Sequence, residues 1–479
     1  MSTVVTPTNS DHVNALYRRH QISVLFITFI AYVSFHASRK PPSIVKSVLA
    51  PDPNSHTVTS GWAPFDGPQG PHRLGELDLA FLSSYSLGMY LAGHFGDRID
   101  LRRFLSFGMI GSGVTTLLFG LGFWFRIHSL AFYVMVQVLA GVLQSIGWPC
   151  VVAVVGNWFG KERKGFIMGV WSSNASVGNI VGSVVAAGLL QYGWGWSFVA
   201  PAGGIVLVGM FVLWSLVARP QDVGLEMDQL VEIEMDDQGF DGEELGLLVE
   251  TNGDLPETNE IVETGAIGFI DAWRLPGVAS YACCLFFSKL VSYSFLYWLP
   301  FYIRHTAVAG QHLSHKTSGI LSTVFDVGGV FGGVCAGYIS DKLEAHAITS
   351  IIFLIISIPA LIFYRILGGI TMSLNIFLMF LSGFFVNGPY SLITTAVSAD
   401  LSVQDTIKGN SRRCLATVSA IIDGTGSVGA ALGPLLTGYI STSGWNNVFA
   451  MLILSISLAC LFLIHLAKAE IFSKMNARK

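Results

Sequence analysis

Tyr32, His36 and Lys40 recur at i, i+4 and i+8, with Arg39 beside them, in a stretch that is otherwise apolar. At this spacing the side chains share one helical face. A second stripe follows further along the chain: Lys289, Tyr293 and Tyr297, again at i, i+4 and i+8, with Ser292 beside them. Cations and hydroxyls on two apolar helices make an anion-binding set. An arginine grips two oxygens bidentately, a lysine supplies a point charge, and tyrosine and serine hydroxyls donate the remaining bonds. A phosphate monoester, with three acceptor oxygens and a charge of about −2, suits that set. Asn387, Tyr390 and Thr394 at i, i+3 and i+7, and Gln137, Gln144 and Trp148, are further candidates to line such a site. Hydrogen bonding between helices is the competing reading for these.

The elements that must position these residues are membrane helices. The chain has 479 residues, of which 52% are hydrophobic and 12% charged. Soluble domains carry about 25% charged residues. The apolar residues fall into blocks of roughly 20, the length that spans a hydrocarbon layer of ~30 Å. Twelve spans are expected, near residues 21–49, 76–96, 104–125, 130–156, 165–190, 196–217, 276–303, 317–340, 346–366, 372–397, 413–440 and 446–467. The apolar part of the first, Gln21 to His36, is short for a crossing. The helix is therefore expected to continue through Arg39 and Lys40 to Leu49, kinked at Pro41 and Pro42. A cation at a helix centre costs ~2.5–3.5 kcal/mol on insertion scales, a cost that normally marks function. The alternatives are that Arg39 and Lys40 snorkel at the interface, and that Lys289 sits near its helix start at the membrane surface.

The expected organisation is a polar tail (1–20), a six-helix bundle (21–217), an acidic linker (218–270), a second six-helix bundle (271–467) and a basic tail (468–479). Lysine and arginine gather on one side of the bilayer, at Arg18, Arg19, Arg98, Arg102, Arg103, Lys161 and Lys342 among others. The other side has few, Lys46 and Arg73 among them. Both termini and the linker are expected to be cytoplasmic.

The two halves resemble each other. Gly93-x-x-x-Asp97-Arg98 follows the second span and Gly337-x-x-x-Asp341-Lys342 the eighth. Ser176, Gly178, Gly193, Trp194 and Phe198 recur as Ser427, Gly429, Gly444, Trp445 and Phe449, each pair offset by 251 residues (427 − 176). Repeats in one order imply a duplicated unit, with a site between the copies near the midplane. Gly424-x-Gly426-x-x-Gly429 spells a dinucleotide fingerprint, but no strand precedes it, so it reads as helix packing. The net charge of −4 argues against a nucleic-acid binder. The six cysteines form no C-x-x-C pair, and no P-loop or H-E-x-x-H occurs. No cofactor, metal or catalytic constellation is expected.

Gly93 to Arg103 is similar to the loop motif of the major facilitator superfamily, with Asp100 where glycine is usual. Ser38-Arg39-Lys40-Pro-Pro-Ser-Ile-Val-Lys46, Gly156-Asn-Trp-Phe-Gly160 and Phe287 to Pro300 resemble the organophosphate:phosphate antiporters. Within these, the chain is most similar to eukaryotic sugar-phosphate exchangers, nearest the plant glycerol-3-phosphate permease group. The resemblance covers nearly the whole chain except the first tail and the linker. It implies an all-α fold of twelve transmembrane helices in two pseudo-symmetric six-helix bundles.

It also implies a transporter, not an enzyme, that exchanges glycerol-3-phosphate or a sugar phosphate for inorganic phosphate by alternating access. Arg39 matches the first-half arginine of the bacterial relatives. Their second-half arginine falls on Ser292, with Lys289 one turn earlier as a substitute. Their second-helix lysine aligns with Met89, and their fifth-helix histidine falls at Ala175, beside Asn174, a candidate to line the site. Asp326 matches an acidic position that pairs with the lysine after the first arginine, which implies a Lys40–Asp326 pair that breaks and reforms in the cycle. A static ion pair is the alternative. Asp423 is a second intramembrane acid, without an assigned partner. Asp97, Arg98 and Asp341 belong to the loop motif and imply gating at the cytoplasmic face. The rival functions are a proton-coupled symporter of an anionic metabolite, carried by Asp423, Asp326 or His36, and a non-transporting receptor or scaffold. A monomer in the plasma membrane or an endomembrane, endoplasmic reticulum or vacuole, is expected.

Overall fold

A computed structural model describes residues 9–51, 61–96, 99–159, 171, 173–225, 269–394 and 411–477. Ten helices or helix pairs among them are long and apolar enough to cross a membrane. Gly70–Gly96 and Ser411–Ser441 complete the twelve spans. Bulky apolar side chains such as Phe26, Leu87, Trp214 and Phe472 point outward. In a chain of membrane helices that is the lipid face. Most of the expected acidic linker, Asp97, Arg98 and residues 395–410 lie outside the described residues.

The first span bends where its prolines demand it. Asn9–Arg39 ends at Lys40, which keeps helical angles, and Pro41–Leu49 resumes at once. Pro41 has no N–H to give the preceding turn, and proline is tolerated at a first helical position. The axis deflects while the path continues, so Arg39 and Lys40 sit at the break and are 8% and 2% exposed. Snorkelling at the interface is thereby excluded. The fourth span breaks in the same way, into Leu130–Gln144 and Gly147–Trp158, with Pro149 just beyond the break. Arg39 and Gln144 thus both lie on the last turn before a proline-driven bend.

Helices run on into both expected tails. The first helix begins at Asn9, not at 21, because its early turns dock on the fourth span. The Tyr17 hydroxyl and the Gln21 amide both donate to the Trp158 carbonyl, each at 2.8 Å. The last helix runs to Ala477, ten residues (477 − 467) past its expected end. Glu470 accepts from the amides of Ala347 and Ile348 at 2.8 and 3.0 Å. Those are orphan donors of the ninth span's first turn, which favour a carboxylate.

The internal repeat is carried into the backbone. Gly193 and Gly444 both adopt positive φ, +116° and +110°, at the turn before the sixth and twelfth spans. Packing repeats as well. A Cβ on Gly178 would lie 2.5 Å from the Val33 carbonyl of the first span, and one on Gly429 would lie 2.0 Å from the Phe286 carbonyl of the seventh. Glycine is required at both because backbones touch there. The first and seventh spans are thereby held against the fifth and eleventh, which fixes the two cationic stripes.

Contacts between the halves cluster at the end of the bundle that carries Lys46. Ser43 donates to the Leu296 carbonyl at 3.0 Å, and Ser47 pairs with His315 at 2.8 Å. Tyr439 donates to Glu76 at 2.8 Å, and its ring stacks on His72 at 4.3 Å.

Candidate functional site

Arg39 is buried, 8% exposed, and no described carboxylate pairs with it. Its Nε donates to Gln144 Oε1 at 2.5 Å, and Gln144 in turn donates to Ser38 Oγ at 3.3 Å. The guanidinium carbon lies 4.5 Å from the Tyr85 ring centre and 6.0 Å from that of Phe81. Among the described residues no carboxylate reaches it, and its Nη2 has no hydrogen-bond partner. A buried polar group with no partner costs stability, and a buried charge costs more. Such a group persists where a ligand completes it. Tyr32, Tyr85, Tyr293 and Tyr297 all lie within electrostatic reach of the guanidinium. The residues of the two stripes therefore converge, although they come from opposite halves.

Lys289 differs from Arg39 in being paired. Its Nζ donates to Asp423 Oδ1 at 2.6 Å, and the Tyr390 ring centre is 5.7 Å away. This supplies the partner that Asp423 lacked in the sequence reading. It also places Lys289 mid-helix in Val278–His305, not at a helix start. The side chains are 5% and 32% exposed, so the acid is partly accessible while the lysine is covered. Ser292, one turn along from Lys289, has a buried hydroxyl with no partner. An arriving anion would find a free guanidinium, a free hydroxyl and a lysine it must share with Asp423.

Lys40 and Asp326 come together as expected, with Nζ and Oδ2 3.7 Å apart. Lys40 also donates to the Leu296 carbonyl at 3.1 Å. Asn179 of the fifth span bridges this pair to the first stripe: it donates to Asp326 at 3.4 Å and contacts His36 Nδ1 at 3.1 Å. The His36 ring leans on Tyr32 at 4.9 Å, and Tyr32 on Trp148 at 5.1 Å. Arg39, Lys40 and Lys289 against Asp326 and Asp423 leave one positive charge uncompensated.

Three further candidates have other surroundings. Asn387 packs on Gly329 of the eighth span, where a Cβ would lie 2.5 Å from its Nδ2, so it joins two helices of one half. Asn174 is 1% exposed with an unpartnered amide nitrogen, one turn before Gly178, the residue that touches Val33 and His36. Asp341 is exposed at the end of the eighth span, far along that helix from Asp326.

Tyr85, Asn179 and the Lys46–Asp78 pair were missed. Tyr85 lies one turn before Met89, on the same face, and that spacing is a signal the sequence does carry. Lys46 read as a surface charge that orients the chain. It is instead 1% exposed, paired with Asp78 and capped by the Trp298 ring at 4.2 Å. Lys46→Met should strand Asp78 and lower stability by about 3–5 kcal/mol, whereas the double change Lys46→Met, Asp78→Asn should recover most of it. Thermal unfolding of the two variants in detergent decides between this and a dispensable surface charge.

The family model described as Major Facilitator Superfamily matches residues 24–409. The chain belongs to the major facilitator superfamily. It is an integral, multi-pass membrane protein of that transporter fold. A protein of Arabidopsis thaliana provisionally named glycerol-3-phosphate transporter 5 is 65% identical over 94% of this chain and 92% of its own. The glucose-6-phosphate exchanger SLC37A2 of Danio rerio is 47% identical over 94% of this chain and 93% of its own. These relatives carry the names of transporters, not of enzymes. A bacterial homologue of the human lysosomal transporter Spinster, solved inward-facing and unoccupied, matches with a TM-score of 0.63 at 15% identity. It covers 95% of this chain and 98% of that one, and it shares the fold.

Proposed function

We propose that this superfamily member exchanges a phosphorylated metabolite, glycerol-3-phosphate or a sugar phosphate, for inorganic phosphate by alternating access. The observation that carries the reading is the buried Arg39 guanidinium, with no acid among the described residues to pair it and Nη2 unsatisfied there, among hydroxyls from both halves. Arg39 takes two phosphate oxygens. Lys289 and Ser292 take the third once Asp423 yields. The names of the relatives from Arabidopsis and zebrafish point to the same substrate class.

Binding energy drives closure. The phosphate draws Arg39 of one half and Lys289 of the other toward one anion. The empty carrier keeps the Lys289–Asp423 and Lys40–Asp326 pairs and gains nothing by closing. Exchange then needs no second energy source, because only a loaded carrier crosses. With both termini in the cytoplasm, the Lys46 end faces away from it. The contacts between halves at that end would then close the carrier on the side away from the cytoplasm.

The test is substrate dependence on the far side. Liposomes loaded with phosphate should take up labelled glycerol-3-phosphate at least about tenfold faster than empty ones, and a protonophore should leave the rate unchanged. Uptake into empty liposomes that a protonophore abolishes would instead establish proton coupling.

A further inference from the structure

We propose that Asn179 is a positioning residue that holds His36 with its Nε2 as a hydrogen-bond acceptor for a hydroxyl on the organic part of the substrate; this rests on the exchange reading above. The argument follows donors and acceptors. Asp326, paired with Lys40, is ionised and can only accept. Asn179 therefore turns its NH2 toward that carboxylate, at 3.4 Å. Its carbonyl oxygen is left to face His36 Nδ1, at 3.1 Å. A carbonyl cannot donate, so Nδ1 carries the proton. In the neutral ring, Nε2 is then a bare lone pair.

Nε2 has no partner among the described residues, and His36 stands one helical turn before Arg39. The phosphate group of a doubly ionised monoester, held by Arg39, offers only acceptor oxygens. It has nothing to give to Nε2. A hydroxyl on the carbon chain does. The tautomer fixed by Asn179 therefore makes this corner of the site read the organic part and not the phosphate. The same amide touches Asp326, so a substrate that engages His36 also bears on the pair that joins the halves.

Propyl phosphate, which matches glycerol-3-phosphate but lacks both hydroxyls, is the probe. Phosphate-loaded proteoliposomes are given labelled phosphate and competed with each compound. In the wild-type protein glycerol-3-phosphate should compete on the order of tenfold better than propyl phosphate, the worth of about one buried hydrogen bond. In His36→Phe, which keeps a ring of similar size, and in Asn179→Leu the ratio should fall to about two or less. The two compounds are also compared by the rise they give in the thermal midpoint of each variant, which needs binding but no turnover. A ratio that stays near ten in both variants, or equals one in the wild type, overturns the assignment. If wild-type liposomes show no phosphate counterflow at all, it is the exchange reading that falls.

Discussion

Arg39→Lys should lower phosphate exchange by about 100-fold or more while leaving the empty protein as stable as the wild type. The two halves of that expectation come from the same geometry. A lysine keeps the charge but loses the planar fork, and with it a second charge-assisted bond to the anion. Such bonds are worth about 1.5–3 kcal/mol each, so loss of one or two spans factors of about ten to about twenty thousand. Stability should hold because, among the described residues, Arg39 has no acid to abandon: it contacts Gln144, whose amide keeps Ser38, and the Tyr85 and Phe81 rings. Arg39→Ala should behave alike and lose the thermal stabilisation that phosphate confers on the wild type. Exchange rates and melting curves with and without phosphate check both halves. Collapse of the phosphate-free variant would recast Arg39 as structural.

Asp326→Asn should act in the opposite order, on stability and on coupling. It leaves Lys40 buried with only the Leu296 carbonyl as partner. Breaking a buried pair from one side costs about 3–5 kcal/mol. The pair lies between the halves, so exchange should fall on the order of 100-fold even where protein survives. Lys40→Met combined with Asp326→Asn removes both charges and should restore the melting temperature. It should not restore obligatory exchange, because the empty carrier no longer has a pair to keep. The measurable sign is efflux of labelled phosphate into buffer without counter-substrate. Strict exchange in the double variant would mean that the pair is a static joint.

The fold was legible because membrane helices obey one dominant rule, and twelve apolar blocks with a 251-residue internal offset leave little freedom. The first cationic stripe was legible for a related reason. Charge that deep in an apolar helix has few explanations, and Pro41 with Pro42 showed where the helix bends. What stayed hidden was pairing. Lys46 sits near a span end, where a lysine ordinarily meets water, and only the approach of the second and seventh spans turns it into a buried partner of Asp78 under Trp298. Asp423 and Lys289 lie 134 positions apart, and nothing local links them. Asn179 is one small polar residue in a Gly- and Val-rich helix, distinguished only by its neighbours His36 and Asp326. Tyr85 was legible, because it stands one helical turn before Met89, the position that aligns with the relatives' second-helix lysine. Asn387 erred the other way: its spacing with Tyr390 holds, but its amide faces Gly329.

The most direct test of the central claim is phosphate counterflow in proteoliposomes. Vesicles loaded with phosphate receive labelled phosphate outside, with glycerol-3-phosphate, glucose-6-phosphate or unphosphorylated glycerol as competitors and Arg39→Ala as control. The account predicts rapid labelled uptake, absent in Arg39→Ala and competed only by the phosphorylated compounds. Uptake no faster than into protein-free vesicles, from protein shown to be folded, would contradict it.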